Sequence, residues 1–185
     1  IFTDSYPSWN PLGTQIVFVS DRGEYVNGEF NGKMVDHNYS QTDIYTVNVK
    51  TMQIERITAT DHNESHPIWA NTKNSLFYTS DYNGVWNLFI HPLQDKFDPE
   101  SGEEQEKVEP YALTNVLTGL QQPTLSGNDD MLIFAGYAGI GWDLYSIANP
   151  LRMSEKKISQ TNYVTVDVSD DEKIADLRKH KTGQE

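Results

Sequence analysis

The sequence predicts an all-β protein made of β-propeller blades, and three observations support that fold class. One short pattern occurs three times in the 185 residues. The spacing between the copies is constant once two insertions are removed. Each copy contains short β-branched and aromatic segments separated by turns, which is the pattern of a four-stranded antiparallel blade. We therefore expect three four-stranded sheets that form part of a larger propeller.

The period is read from a proline that opens each copy, at Pro7, Pro67 and Pro123. The third apolar residue of the following segment lies 11 positions later in every copy, at Phe18, Tyr78 and Phe134. The prolines are 60 and 56 residues apart. Removing about 16 inserted residues from the first copy and about 12 from the second leaves a core period of about 44 in both cases. That period is typical of one propeller blade.

Turn residues set the element boundaries. Asn10-Pro11-Leu12-Gly13 is a turn, because proline fixes φ early in it and glycine permits positive φ late. Asn149-Pro150 ends the third strand of the last copy, since proline has no N–H to give to the ladder. The fourth strand of that copy is expected at Lys156–Gln160. Blades 1, 2 and 3 are therefore expected at about residues 4–58, 65–114 and 122–160, within a propeller segment that spans 1–162.

Residues 163–185 form a C-terminal extension for which the sequence leaves two alternatives. Ser169 with Glu172 three positions later is a capping box, which favours a short helix. The alternative is the start of a degenerate fourth blade, because Val168 lies 10 residues after Ile158, where the next repeat should begin, and residues 169–175 have the form of its turn and following strand.

Composition excludes several classes of protein. The net charge of −13 excludes a partner that is bound through its phosphate backbone, so we expect no nucleic acid. The absence of cysteine excludes a disulfide framework. No run approaches the roughly 18 apolar residues of a membrane span. Three blades do not close a ring, since propellers have about four to eight. We therefore expect further blades or self-association, and the start at Ile1 inside a repeat suggests a piece of something longer.

Function is expected on the connections, because blade strands are fixed by packing. The insertion at residues 24–41 and the links 59–64 and 115–121 emerge on one face of a propeller. The candidate partner-binding residues gathered on this face are Phe30, Asp36, His37, Tyr39, His62, Glu64 and His66. Imidazole and carboxylate groups also suit divalent ions, but they lack a tight metal-ligand spacing, so we predict no metal and no cofactor.

Two further features carry no specific chemistry. The second insertion, at about residues 93–108, is strongly acidic and is expected to be a solvated loop on the opposite face. No Ser-His-Asp set, nucleophile elbow or cofactor fingerprint is present, so no catalytic residue is predicted.

Over about residues 4–160 the repeats resemble those of TolB-type propellers. The matching segments are Pro7-Ser8-Trp9 with the following turn, Ile16 to Arg22, Asp43-Ile44-Tyr45 and Ile57-Thr58. The second copy lacks the turn residues, with Ala70 to Lys73 in their place, and the third has Leu125 instead of tryptophan. The resemblance implies a periplasmic or cell-surface docking platform that binds a protein partner and carries no catalytic residues in its blades.

The repeats are also similar to the propeller parts of large bacterial envelope proteins. The alternative function is therefore a propeller segment of a larger enzyme. Such a segment would be either the substrate-gating domain of a peptidase or a metal-dependent lyase with histidines on one face.

Overall fold

The structure, a computed structural model, describes residues 2–26, 33, 37–93 and 109–159. The candidate residues Phe30 and Asp36, most of the acidic insertion and the whole C-terminal extension lie outside these ranges.

Eleven strands run through the described residues in three antiparallel sheets. The first sheet contains β1 (Asp4–Trp9), β2 (Gln15–Ser20), β3 (Asp43–Asn48) and β4 (Ile54–Arg56). The second contains β5 (Glu64–Trp69), β6 (Ser75–Ser80), β7 (Asn87–Pro92) and β8 (Tyr111–Ala112). The third contains β9 (Leu120–Leu125), β10 (Met131–Ala138) and β11 (Gly141–Ala148). Each sheet is a meander in chain order, so the predicted propeller blades are confirmed.

Blade 3 differs from the prediction in its fourth strand. The described part of the segment expected at Lys156–Gln160 is not a strand of this sheet. After β11, Asn149 adopts a left-handed backbone and a short 3-10 helix, Pro150–Arg152, turns the chain away. The backbone N–H of Lys156 then donates to the carbonyl of Ala112, at 2.8 Å. The C-terminal tail of the repeat therefore lies against blade 2 instead of completing blade 3.

The inner strands share a backbone irregularity just before the repeat prolines. Tyr6, His66 and Gln122 have φ angles of 52°, 50° and 55°, and the pairing register shifts at the same place in all three blades. A proline cannot give an N–H to the neighbouring strand, so the ladder is interrupted there and the chain accommodates the gap as a bulge. Each left-handed residue costs roughly 1 kcal/mol, which the packing of the blades must offset.

The core lies between blades, in two clusters. At junction 1–2, the interface of blades 1 and 2, side chains of the first two sheets meet: Val17, Ile44, Trp69, Leu76, Tyr78 and Phe89. At junction 2–3, the interface of blades 2 and 3, the cluster includes Phe77, Leu88, Ile90, Leu120, Leu132 and Phe134. All six residues of β6 are buried, because this strand has a neighbouring blade on each face. The alternation of side chains along each strand thus supplies one residue set to each junction.

Candidate interaction face

One face of the blades is formed by the ends of the strands that carry the predicted connections. Asp4 pairs with Ser20, and Ser20 with Asp43, so the end of β2 lies beside the starts of β1 and β3. In blade 2, Ser80 pairs in the same way with Glu64 and Asn87. The described ends of the first insertion and the link into blade 2 therefore emerge on the same face, which we call the interaction face.

Arg22 organises this face in blade 1. It directly follows Ser20-Asp21 and is buried, with its guanidinium donating two hydrogen bonds to Asp4 at 2.7 and 2.8 Å. Its Nε donates to the hydroxyl of Ser20 at 3.0 Å. The guanidinium carbon also lies 5.1 to 5.7 Å from the centres of three aromatic rings, those of Phe18, Tyr45 and Phe2. The Asp4 carboxylate and the three rings hold the planar guanidinium of Arg22 in place. The guanidinium in turn fixes the positions of those rings.

Phe2 lies over this arginine and is one of four rings that form what we call the aromatic cluster: Phe2, Tyr25, His37 and Tyr39. Phe2 stacks on Tyr25 at 5.9 Å and lies 5.3 Å from the imidazole of His37. His37 meets Tyr39 edge-on at 4.6 Å. Tyr25 is 39% exposed and Tyr39 48% exposed, whereas the side chain of His37 is buried, with its Nε2 3.7 Å from Asp21. The cluster therefore presents two tyrosines to solvent on a fixed base.

The link into blade 2 is tied to the end of the first insertion. The side-chain amide of Gln41 donates to the carbonyls of Thr60 and His62, at 3.2 and 2.5 Å. The backbone N–H of Thr42 donates to the side chain of Asn63 at 3.0 Å. His62 itself packs edge-on against Tyr82, at 4.9 Å. These bonds join the two blades along the interaction face.

Glu64 supports this link from below instead of facing solvent, since it is 2% exposed. Its carboxyl oxygens accept hydrogen bonds from the hydroxyls of Thr58 and Thr60, at 3.1 and 2.7 Å. Burial and the nearby charges of Asp43 and Asp81 together raise the pKa of Glu64 to about 8, against the lowering effect of the two hydrogen bonds. At neutral pH this carboxyl is therefore largely protonated.

His66 lies apart from the other candidate residues, on the inner strand β5. Its left-handed backbone places its imidazole 4.1 Å from the ring of Tyr6, the equivalent residue of blade 1. Its Nδ1 is buried with no hydrogen-bond partner, and burial lowers the pKa of the imidazole. His66 and Tyr6 form a pair on the inner strands, and the equivalent residue in blade 3 is Gln122. The repeated prolines mark these three residues as equivalent, and this spacing was the sequence signal that could have predicted their common position.

The structure thus separates the predicted residues into groups. His37 and Tyr39 lie in the aromatic cluster, His62 lies on the blade 2 side of the interaction face, Glu64 lies beneath it, and His66 lies on the inner strand. Arg22, Phe2 and Tyr25 complete the blade 1 side and were not predicted, because their roles depend on contacts across strands. Within the described ranges, no three His, Asp or Glu side chains are placed to hold a metal ion. No helix there has the length and hydrophobicity needed to cross a membrane.

Three solved structures share this fold. A putative TolB from Agrobacterium tumefaciens matches with a TM-score of 0.57 and 13% identity, over 80% of this chain and 46% of that one. TolB from Acinetobacter baumannii matches with a TM-score of 0.52 and 16% identity, over 77% of this chain and 29% of that one. A puromycin-hydrolysing peptidase from Mycobacterium tuberculosis matches with a TM-score of 0.51 and 16% identity, over 84% and 22%.

These likenesses establish the fold, which is that of a TolB-like propeller segment, as the repeats predicted. The chain spans less than half the length of each of the three structures. No protein-family model matches the sequence, and no curated protein matches it either.

Proposed function

We propose that this propeller segment is a non-enzymatic scaffold of the bacterial cell envelope, periplasmic or at the cell surface, that binds a protein partner through its interaction face. The fold it shares with two TolB structures supports this proposal. The single observation that carries it is the aromatic cluster on blade 1, with its two exposed tyrosines.

The cluster has the properties of a protein-binding surface. Tyrosine is enriched where proteins meet, because one end of its ring is apolar and the hydroxyl can remain hydrated. Arg22 positions Phe2, and Phe2 and His37 in turn pack against the two exposed tyrosines, so less conformational entropy is lost when a partner packs on them. The net charge of −13 favours a partner with a basic surface, whose cations can also lie over the tyrosine rings.

A binding experiment with two matched double variants tests this proposal. Tyr25→Ala with Tyr39→Ala removes the exposed rings of the cluster. Tyr137→Ala with Trp142→Ala removes another exposed aromatic pair, 38% and 52% exposed, on the β10–β11 hairpin of blade 3. We expect the first variant to lose at least about tenfold in affinity for a partner captured from envelope extract, since hot-spot aromatics contribute about 2 kcal/mol or more. The second should bind like the parent chain.

Both variants should keep the β-rich far-ultraviolet spectrum. The proposed face is wrong if the blade 3 variant loses binding and the blade 1 variant keeps it. Failure of the parent chain to bind any envelope protein specifically would contradict the scaffold function itself.

The alternative, a propeller segment of a larger enzyme, draws support from the peptidase that shares the fold. The reading frame that encodes this segment distinguishes the two functions. A peptidase or lyase module joined to the propeller in the same frame would favour a gating or catalytic role, and in that case the aromatic cluster would serve substrate entry.

A further inference from the structure

A cavity of about 580 Å³ opens between the outer parts of blades 1 and 2. Its lining includes Asn48 and Gln53 at the β3–β4 turn and Asn74 at the β5–β6 turn, which lie at the opposite ends of the strands from the interaction face. The volume is within the range of about 300 to 1,000 Å³ found for small-molecule sites. It is therefore large enough for a ligand and separate from the proposed partner surface.

The blade repeat itself does not dictate this cavity. At the equivalent place in junction 2–3, Ile90 and Ile147 occupy the positions held by Thr46 and His91 in junction 1–2. Leu151 and Met153 from the segment after β11 also pack into that junction. The outer part of junction 2–3 is thus filled by apolar side chains, whereas the outer part of junction 1–2 is lined by polar ones.

The cavity lining is rich in side-chain amides. Gln15, Gln53 and Asn74 each contribute one, and the amides of Gln15 and Gln53 make no hydrogen bond within the described part of the chain. An amide offers both donors and an acceptor, which matches hydroxyl groups that also donate and accept. Trp69, Ile57 and Leu93 add apolar side chains to the lining.

The charged groups of the lining leave a small negative balance. Arg56 is held by Asp43 at 2.7 Å and by Glu24, so its charge is already compensated. Glu55 is the remaining carboxylate among the described lining residues. This balance disfavours an anionic ligand and does not require a cationic one.

We propose that this cavity binds a neutral sugar of one or two rings. Its hydroxyls would pair with the amides of Gln15 and Gln53. Trp69, Ile57 and Leu93 supply apolar surface against which the C–H groups of a sugar ring can pack.

Titration of the whole chain with defined sugars tests this inference. The probes are maltose, cellobiose and N,N′-diacetylchitobiose, with glucose 6-phosphate and glucuronate as charged comparisons. Calorimetry and tryptophan fluorescence report binding. We expect at least one neutral disaccharide to bind saturably with a Kd of about 1 mM or tighter, and the charged sugars to bind at least about tenfold more weakly.

Variants tie binding to the cavity. Gln53→Ala, at an exposed position, should weaken binding about fivefold, the effect of one lost hydrogen bond. Thr46→Ile with His91→Ile copies junction 2–3 and should abolish binding by filling the cavity. Gln122→Ala removes an exposed amide outside the cavity and should have no effect.

Three outcomes would overturn the inference. The first is that no neutral sugar binds at about 20 mM, where a 1 mM site would be almost saturated. The second is that only the charged sugars bind. The third is that the filled variant, with its sheet spectrum intact, binds like the parent chain.

Discussion

Blades 1 and 2 meet differently from blades 2 and 3, although both junctions are built from the same repeat. Junction 2–3 is apolar to its outer edge, where Leu151 and Met153 pack against the core. Junction 1–2 has a core of similar residues but opens outward into the polar cavity. Packing thus continues outward in one interface and gives way to a polar space in the other.

Both junctions are bonded at the interaction face. The backbone N–H of Glu64 donates to the carbonyl of Thr42, and the N–H of Leu120 donates to the carbonyl of Trp86 at the equivalent positions, both at 3.0 Å. Junction 2–3 has further bonds at the opposite face, where the carboxylate of Asp129 accepts from the backbone and side chains of Asn71 and Thr72, at 2.6 to 2.9 Å. The equivalent residues at junction 1–2 are Lys73, Pro11 and Leu12, which offer no carboxylate and no N–H on the proline.

This difference shows how a repeat accommodates function. The pattern of buried residues needed for stacking is kept at both junctions. Polar residues replace apolar ones at the outer positions of junction 1–2, where Thr46 and His91 stand in place of Ile90 and Ile147, and on the inner strand, where the buried Glu64 stands in place of Leu120.

Replacing the equivalent core leucines, Leu132 and Leu76, should give the largest effect and compare the junctions directly. Both are fully buried, Leu132 in junction 2–3 and Leu76 in junction 1–2. We expect Leu→Ala to cost about 2 to 5 kcal/mol at each site, with Leu132→Ala at the upper end. The cavity beside junction 1–2 gives the Leu76 site room to relax or hydrate. Urea unfolding of both variants measures the difference, and equal losses would show that the cavity does not soften junction 1–2.

The clamp at junction 2–3 gives the next effect. Burial raises the pKa of Asp129, but the hydrogen bonds from Asn71 and Thr72 outweigh it and hold the pKa below its ordinary value. Asp129→Ala removes the charged acceptor of these part-buried hydrogen bonds and should cost about 1.5 to 3 kcal/mol. The stability that Asp129 contributes should be lost as the pH falls through its lowered pKa.

The neighbouring Asp130 is the matched control for Asp129. It is exposed, and its side chain bonds to Ser126 and Asn128 of its own turn. Asp130→Ala should change the unfolding free energy much less than Asp129→Ala does. If the two variants lose the same stability, the bonds between the blade turns do not hold junction 2–3 together.

Glu64 makes junction 1–2 sensitive to pH in the opposite direction. Its pKa is about 8 in the folded chain, against an ordinary value of 4.5, so between these values the folded state holds a proton that the unfolded state releases. The unfolding free energy should therefore fall as the pH rises from about 5 to about 8, by at most about 1.4 kcal/mol per pH unit. Glu64→Gln removes this dependence.

The readout is the difference between the parent chain and Glu64→Gln in urea unfolding at pH 5, 6, 7 and 8. Glu55→Gln, which changes an exposed carboxylate on the blade 1 side of junction 1–2, should leave the slope unchanged. A parent slope that persists in the Glu64 variant would show that this carboxyl is not the group that titrates.

Local pattern was enough to predict the blades, since a proline, a turn and alternating apolar residues recur with one period. It failed where the outcome depends on contacts between blades. Ile158 has the apolar character of a repeat tail, but it packs against the junction 1–2 cluster and not on blade 3. The sequence indicated that Ile158 is buried, but it did not indicate which blade Ile158 packs against.

The candidate site likewise has features that the sequence predicted and features that depend on contacts between distant residues. Topology predicted which connections share a face, because antiparallel pairing fixes where the strands end. It did not predict Arg22 beneath the aromatic cluster, since that role needs Phe2, Phe18 and Tyr45 on different strands. The cavity had a signal in the aligned repeats: Thr46 and His91 stand where junction 2–3 has Ile90 and Ile147.

The smallest expected effect is at the outer edge of junction 2–3, where Met153 fills the space that remains open at junction 1–2. Met153 is partly buried against the core cluster, so Met153→Ala removes part of its packing and should cost about 1 kcal/mol, less than a fully buried site. Arg152→Ala, at the exposed neighbouring position, is the control and should cost less than about 0.5 kcal/mol. Urea unfolding with both variants measures this. A loss as large as that of Leu132→Ala would mean that the segment after β11 is part of the core. No loss would mean that the apolar packing at the outer edge of junction 2–3 adds nothing to stability. The two junctions would then differ only in the polarity of their outer residues.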